Sequence, residues 1–295
     1  MRRVHVIINP ISGRAQPVLY TLNAVFREAG VAWDVSVTHA CGDAYHAART
    51  AAAQGVEVVA VYGGDGTVLE AATGLLETTT PLAILPGGTA NILSVELGIP
   101  HDLAAATRIA CSEDSPIRKV DLGRSGERFF IQRIGIGLDA EKVNRATREL
   151  KQKYGRLAYS IGWLQAVRET PKTRYALQLD GREEACEGVT CHIANSGSLG
   201  VPGLVLLPDI SVSDGLLDVL VFRDTSIGSA LSIARLAAGH PADPGAFHHW
   251  QAREVSITAD PPQLIHADGE MWEMTPIKVQ VMPDAVGILT PRAGA

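Results

Sequence analysis

The amino-terminal part of the chain alternates strand-like and helix-like segments, and no other feature constrains its fold as strongly. Residues 4–8 form a short apolar run. Residues 17–29 carry apolar side chains at helical spacing through Leu19, Leu22, Val25 and Phe26, with Gly30 as the stop. Residues 33–37 and 56–62 read as further strands, and Asp43 as the cap of a helix running to Ala53. A helix over 67–76 and a short buried strand over 82–85 complete the series. Strands separated by helices of this length predict βαβ units and a mostly parallel sheet. In such sheets ligands bind beyond the carboxyl ends of the strands.

From about Asp121 the pattern changes. Segments 129–134, 175–179, 189–194, 217–222, 254–258, 277–281 and 287–289 read as strands joined by polar turns, with helical stretches near 140–152, 157–168 and 227–238. At 295 residues the chain reaches the length, about 250–300 residues, at which a single core usually stops growing, so two domains are the better expectation. The expected fold class is α/β. A parallel-sheet nucleotide-binding domain over 1–122 precedes a β-rich sandwich over 123–295, whose last segment returns to the first domain.

Three glycine loops fall where that sheet would bind a ligand. Asn9-Pro10-Ile11-Ser12-Gly13 follows the first strand and alone reads as a strand-to-helix turn. Gly63-Gly64-Asp65-Gly66-Thr67 places three glycines in four positions, which permit positive φ and expose successive amides as an anion-binding nest. The helix beginning near Thr67 adds the positive end of its dipole, so phosphate is the natural ligand. Asp65 is the odd member, because a carboxylate repels phosphate unless a metal or a proton intervenes. In Pro86-Gly87-Gly88-Thr89-Ala90-Asn91, Gly88 and Thr89 offer backbone and hydroxyl contacts, and Asn91 a helix cap. Neither the P-loop pattern nor the dinucleotide fingerprint is present.

A formal net charge of −6 gives no electrostatic support for nucleic-acid binding. Cys41, Cys111, Cys186 and Cys191 form no C-x-x-C pair and read as inert thiols of a reducing compartment. The apolar run after Arg2 and Arg3 is interrupted by His5 and Pro10, so it reads as a strand rather than a signal peptide. No apolar stretch approaches the ~18 residues that span a bilayer. Any membrane contact is expected to be peripheral, with Lys142, Arg145, Arg148, Lys151, Lys153 and Arg156 as a basic face that anionic lipid or plain water would cover. His248-His249-Trp250 reads as loop.

In order and spacing the three loops, continued by His266-Ala267-Asp268-Gly269-Glu270, resemble the catalytic domain of diacylglycerol and sphingosine kinases. The glycine-Asp-glycine-Thr motif is shared with NAD kinases, and the late Asp-Gly-Glu narrows the likeness to lipid kinases. The resemblance implies an ATP- and magnesium-dependent lipid kinase of the cytoplasm, peripheral to the membrane, with a homodimer open. It implies that Asn9, Pro10, Ile11, Ser12, Gly13, Thr38, Gly63, Gly64, Asp65, Gly66, Thr67, Val68, Leu69, Gly88, Thr89 and Asn91 surround ATP. It also implies a magnesium site at Ser211, Asp214 and the Leu216 carbonyl. Leu69 and Ile92 depart from the family pattern, which often has Asn and Asp there.

Phosphoryl transfer needs positioning and charge neutralisation more than covalent chemistry. Glu270 is the expected proton acceptor for the lipid hydroxyl. Asp268, two residues away along an extended segment, is expected to orient Glu270 or the metal, and Asp65 to orient magnesium or its waters. A kinase of a soluble substrate such as NAD, and a catalytically silent nucleotide- or lipid-binding protein, are the competing readings.

Overall fold

The computed structural model describes residues 2–13, 16–137, 171–201, 204–223 and 245–292. The helices expected near 140–152, 157–168 and 227–238, and the basic stretch 142–156, lie outside them. The chain divides into two compact units. One comprises Met1–Leu122, Ser198–Pro202 and Met282–Ala295, the other Gly123–Gly197 and Gly203–Val281.

The first unit is built on β1 (Arg3–Ile8), α1 (Val18–Glu28), β2 (Ala32–Val37), α2 (Asp43–Ala53), β3 (Val58–Gly63), α3 (Asp65–Gly74), β4 (Leu82–Pro86), α4 (Ile92–Glu96) and α5 (Leu103–Cys111). Its strands are parallel in the order β2-β1-β3-β4, with Val4 opposite Val58 and Val59 opposite Leu82. Every residue of β3 and β4 is buried, as continuous apolar strands covered on both faces must be. Helix α2 packs on α3, and α1 on α5, which buries Leu22, Val25 and Phe26. Each such side chain contributes about 1.5–3 kcal/mol when fully removed from water.

The second unit takes most of its structure from strands. After β5 (Ile117–Ser125), which passes from the first unit into the second at Gly123, come β6 (Arg128–Phe130), β7 (Arg133–Ile136), β8 (Thr173–Leu179), β9 (Arg182–Gly188), β10 (Thr190–Ala194), β11 (Ser198–Val201), which belongs to the first unit, and β12 (Leu204–Val205). They are followed by β13 (Leu217–Phe222), β14 (Phe247–Ala252), β15 (Glu254–Asp260), β16 (Leu264–Ala267), β17 (Glu270–Met274) and β18 (Ile277–Leu289). One antiparallel sheet runs β14-β13-β10-β7-β16-β17. Against it lie β8, β9, β15 and the start of β18, and alternate residues such as Tyr175, Leu177, Val255, Ile257 and Val279 meet Ile134, Ile193, Val219 and Ile265 in one core. This sandwich is the expected β-rich architecture.

The sequence-based boundaries need correction in several places. The expected strand 129–134 is broken at Ile131–Gln132, because its amides turn to a side chain described below. The expected pair of strands at 277–281 and 287–289 is one strand, β18. His248, His249 and Trp250 lie in β14 rather than a loop, where the His249 ring meets the fully buried Asp218 of β13 at 2.6 Å. Asp43 does not cap α2, whose N-cap position is Gly42. Its carboxylate accepts from the amides of His39 and Ala40 in the preceding turn.

A methyl group added at Gly74 would sit 2.4 Å from the Tyr45 carbonyl oxygen, where α3 packs on α2. The obstacle is backbone and cannot rotate away. Gly74→Ala is expected to cost about 1–3 kcal/mol, read as a lower urea midpoint with unchanged slope.

Candidate active site

The three glycine loops converge at the carboxyl ends of the parallel strands. The Asn9 amide donates to the Tyr62 carbonyl and the Gly87 amide to that of Gly63, which extends the ladders one step beyond β1 and β4 (both 2.9 Å). At the end of β2 the buried Thr38 amide donates to the Ile8 carbonyl at 2.9 Å. Asn9 also reaches sideways, its Nδ2 donating to the Thr67 hydroxyl at 2.9 Å.

The reason for the glycines differs from the expected one. Gly63, Gly64 and Gly66 do not adopt positive φ, so they build no αR–αL nest. Helix α3 instead begins at Asp65, two residues earlier than the sequence pattern predicts, and puts Asp65, Gly66 and Thr67 in its first turn with their amides forward. Crowding is what excludes a side chain at Gly63, Gly87 and Gly88, whereas a Cβ at Gly66 would meet nothing within 4 Å. A Cβ at Gly63 would meet that of Thr67 at 2.7 Å, and one at Gly88 would meet the Gly64 Cα at 2.6 Å. The ring of Tyr62 lies 2.9 Å from the Cβ position of Gly87. Only Gly13 needs both freedoms, with φ +89° and a Cβ position 2.1 Å from the Gly87 oxygen.

Asn91 stands at the N-cap position of α4 but does not cap it. It has φ +49°, and its side chain turns back on Gly88, accepting from the amide and donating to the carbonyl at 2.9 Å each. The Asp65 carboxylate faces the start of α4, where the backbone amides of Leu93, Ile92 and Asn91 favour its charged form. Burial raises the Asp65 carboxyl above its ordinary range, and these amides pull it back in part. The second loop thereby holds the third. Ser12 is half-buried and Thr89 exposed; Val68 is buried, and Leu69 and Ile92, the two departures from the family pattern, are partly buried. Ile11 points into solvent, 93% exposed. Beside them Ile8, Pro10, Ser12, Gln16, Leu19 and Tyr62 line an open groove, and Gln16 Nε2 donates to the Tyr62 hydroxyl at 2.8 Å. Sequence reasoning missed Gln16 and Tyr62; Tyr62 was legible only as a strand residue.

In the second unit Asp268 and Gly269 join β16 to β17. Both have positive φ, +47° and +89°, as a two-residue type I′ hairpin turn demands, and Ala267 pairs with Glu270 across it. Asp268 and Glu270 are therefore not members of one extended segment, as the sequence reading had them. The Asp268 carboxylate accepts from the amides of Ile131 at 2.7 Å, Gln132 at 3.1 Å and Arg133 at 2.9 Å. Asn195 completes the bend, its Nδ2 donating to the Ile131 carbonyl at 2.8 Å. No sequence signal marked Asn195, since its partner lies 64 residues away. Burial pushes the Asp268 carboxyl up to about 6 despite the three amides. Glu270, the next residue but one, is exposed at the start of edge strand β17 and lines a pocket with Arg128, Phe129, Met271 and Trp272.

The third group of sequence-predicted residues forms a turn ahead of β13. The Ser213 amide donates to Ser211 Oγ at 3.3 Å, and the Leu216 amide to Asp214 Oδ1 at 3.0 Å. These are local side-chain turns of the kind Ser and Asp make in loops. Hydroxyl, carboxylate and carbonyl oxygens in one turn are the donors a hard cation takes, and magnesium completes such partial sets with water. The donor set fits magnesium. Among the described residues no three His, Cys, Asp or Glu side chains gather into a metal-holding cluster.

The Asp268 clamp predicts two measurements. Asp268→Ala leaves three amides without their acceptor and is expected to cost at least about 2 kcal/mol in stability, measured by denaturant unfolding at pH 7.5. The pH dependence has a definite sign. The native carboxyl holds its proton up to about 6, whereas the unfolded one sheds it near ~3.9. Between those values the native state binds more protons, so stability falls as pH rises. Relative to Asp268→Asn, the wild type is expected to lose stability from pH 4 to pH 6.

Comparison with known proteins follows the same division. The family model of the diacylglycerol kinase catalytic domain matches residues 3–125. That of the YegS C-terminal NAD kinase beta sandwich-like domain matches residues 132–290. A diacylglycerol kinase of Mycobacterium tuberculosis is 31% identical, covering 99% of this chain and 96% of its own. An uncharacterised protein of Synechocystis is 30% identical over 81% of this chain, which spans only 56% of that relative's length. The crystal structure of a diacylglycerol kinase from Bacillus anthracis superposes with a TM-score of 0.80 at 27% identity, covering 100% of this chain and 98% of that one.

Proposed function

We propose, from the premise that this chain belongs to the diacylglycerol kinase family of lipid kinases, that it transfers the γ-phosphate of ATP to a hydroxyl of a membrane lipid. The observation that carries the reading is the convergence of three glycine loops at the carboxyl ends of a parallel sheet, with the first turn of α3 turned toward the same end. The amides of that turn and the dipole of α3 favour an anion. The second loop can approach phosphate oxygens because no side chain stands between it and the third. Thr38, Ser12 and Thr89 supply hydroxyls around this end of the sheet, and the groove beside Tyr62 is a place for the nucleoside.

Asp65 acts by holding the third loop at the start of α4, and Asp268 by holding the hairpin that carries Glu270. Both are positioning residues. Glu270 is the proton acceptor: its exposed carboxylate takes the proton of the lipid hydroxyl as the oxygen attacks the γ-phosphorus. Ser211, Asp214 and the Leu216 carbonyl would hold magnesium. When bound, such a cation supplies neutralisation of negative charge. Among the described residues no helix is long and apolar enough to cross a membrane.

The test is transfer of labelled γ-phosphate from ATP-magnesium to lipids in mixed micelles, beside soluble acceptors that include NAD. Label in a lipid is expected; label only in a soluble acceptor would replace the lipid reading with the NAD kinase-like one. Glu270→Gln is expected to lower kcat by about 10²–10⁴-fold while ATP affinity, measured by equilibrium binding, stays within twofold of wild type, a limit on the order of experimental scatter. An unchanged kcat would remove Glu270 from the mechanism.

A further inference from the structure

Tyr62 meets all three glycine loops. It immediately precedes Gly63, where the second loop begins. Its ring lies 2.9 Å from the Cβ position of Gly87 and so floors the third. It meets the first loop at three points. The Tyr62 carbonyl accepts from the Asn9 amide at 2.9 Å, where that loop leaves β1. Its hydroxyl accepts from Gln16 Nε2 at 2.8 Å, just ahead of α1. Between these ends the same hydroxyl lies 3.0 Å from the Cβ position of Gly13. Tyr62 is only 2% exposed, whereas Gln16 is exposed. A buried tyrosine hydroxyl needs a partner, and this one takes it from the loop rather than from the core.

The bonds inside the first loop are longer and local. The Ser12 amide donates to the Asn9 carbonyl and the Ile11 amide to Asn9 Oδ1, at 3.2 Å each. Pro10 has no amide to give. Fixing such a stretch costs conformational entropy at every residue. A loop closed for only part of the time binds its ligand more weakly in proportion to the fraction closed. We infer that Tyr62 is a positioning residue of the nucleotide site, whose hydroxyl, clasped by Gln16, holds the first loop in its phosphate-binding shape. The inference rests on the nucleotide reading of the three loops. Tyr62 acts through the loops and takes no part in phosphoryl transfer.

The experiment is equilibrium binding of ATP-magnesium, beside steady-state transfer to lipid, in Tyr62→Phe, Gln16→Met and the double variant. Tyr62→Phe keeps the ring under Gly87 and removes only the hydroxyl. Each single variant is expected to weaken ATP binding about threefold to tenfold, the net worth of one hydrogen bond. KM for ATP should rise by the same factor, with kcat within about twofold of wild type. The double variant should bind no more weakly than either single one, because all three lack the same bond. Amide hydrogen exchange at residues 11–13 should quicken in all three and stay at the wild-type rate at Gly87 and Gly88. Losses that add in the double variant would show Gln16 and Tyr62 acting separately on the nucleotide, and would overturn the clasp. Wild-type affinity in either single variant would overturn it too, as would a fall in kcat at constant KM. Faster exchange throughout β3 and β4 would reduce Tyr62 to a packing residue and have the same force. Transfer to lipid with every variant at wild-type ATP affinity would sink the clasp and leave the kinase reading standing. Clasp-dependent ATP binding without transfer to any lipid would do the reverse, and a wild type that binds no ATP would end both.

Discussion

One carboxylate organises the candidate site residues of the second unit. Asp268 takes the amides of three successive residues, Ile131 to Arg133, and those amides are therefore lost to a regular ladder. The chain breaks between β6 and β7 at that point, and Asn195 and Ser196 satisfy the carbonyls left over. A buried backbone bend is tolerable only when each polar group is paired. The same residue occupies the first position of the β16–β17 turn, where its positive φ sets the register that places Glu270 opposite Ala267. Remove the clamp, and the bend, the hairpin register and the position of Glu270 lose their common support.

The first unit reaches its geometry by close approach of backbones. Tyr62 underlies Gly87, Gly64 abuts Gly88, and Gly13 abuts Gly87. Asp65 then ties α3 to the start of α4 across these contacts. The result is a set of amides held at one end of a rigid parallel sheet, which is where preorganised donors act with least reorganisation.

Much of this was legible in the sequence, and the failures have two causes. The βαβ series, the sandwich and the three loops follow from hydrophobic period and glycine placement, both local signals. Some of the misread features depend on partners far along the chain, and others on a rival partner within the same turn. Asp43 and Asn91 looked like caps because their type and position fit, yet each found nearer acceptor work in its own turn. The carboxylate at the start of α4 came from Asp65, and the break at Ile131 from Asp268, more than a hundred residues on. His249 read as loop because a His-His-Trp run has no clear period, and only β13 revealed the buried Asp218 it meets. Glycine-rich loops suggested positive φ, although steric clearance explains most of those glycines equally well.

The contact between Gly64 and Gly88 has a consequence for how such a site can change over time. Most packing errors in a protein can be repaired by a second substitution that shrinks the neighbour. Here the partner of Gly88 is already the smallest residue, and the obstructing atom is main-chain: a Cβ at Gly88 would meet the Gly64 Cα at 2.6 Å, whereas one at Gly64 would meet the Gly88 Cα at an ordinary 3.6 Å. A side chain gained at Gly88 has no compensating mutation at Gly64, and relief must come from moving main chain. The bar therefore runs one way: the second loop can acquire a methyl group at Gly64 that the third cannot acquire at Gly88.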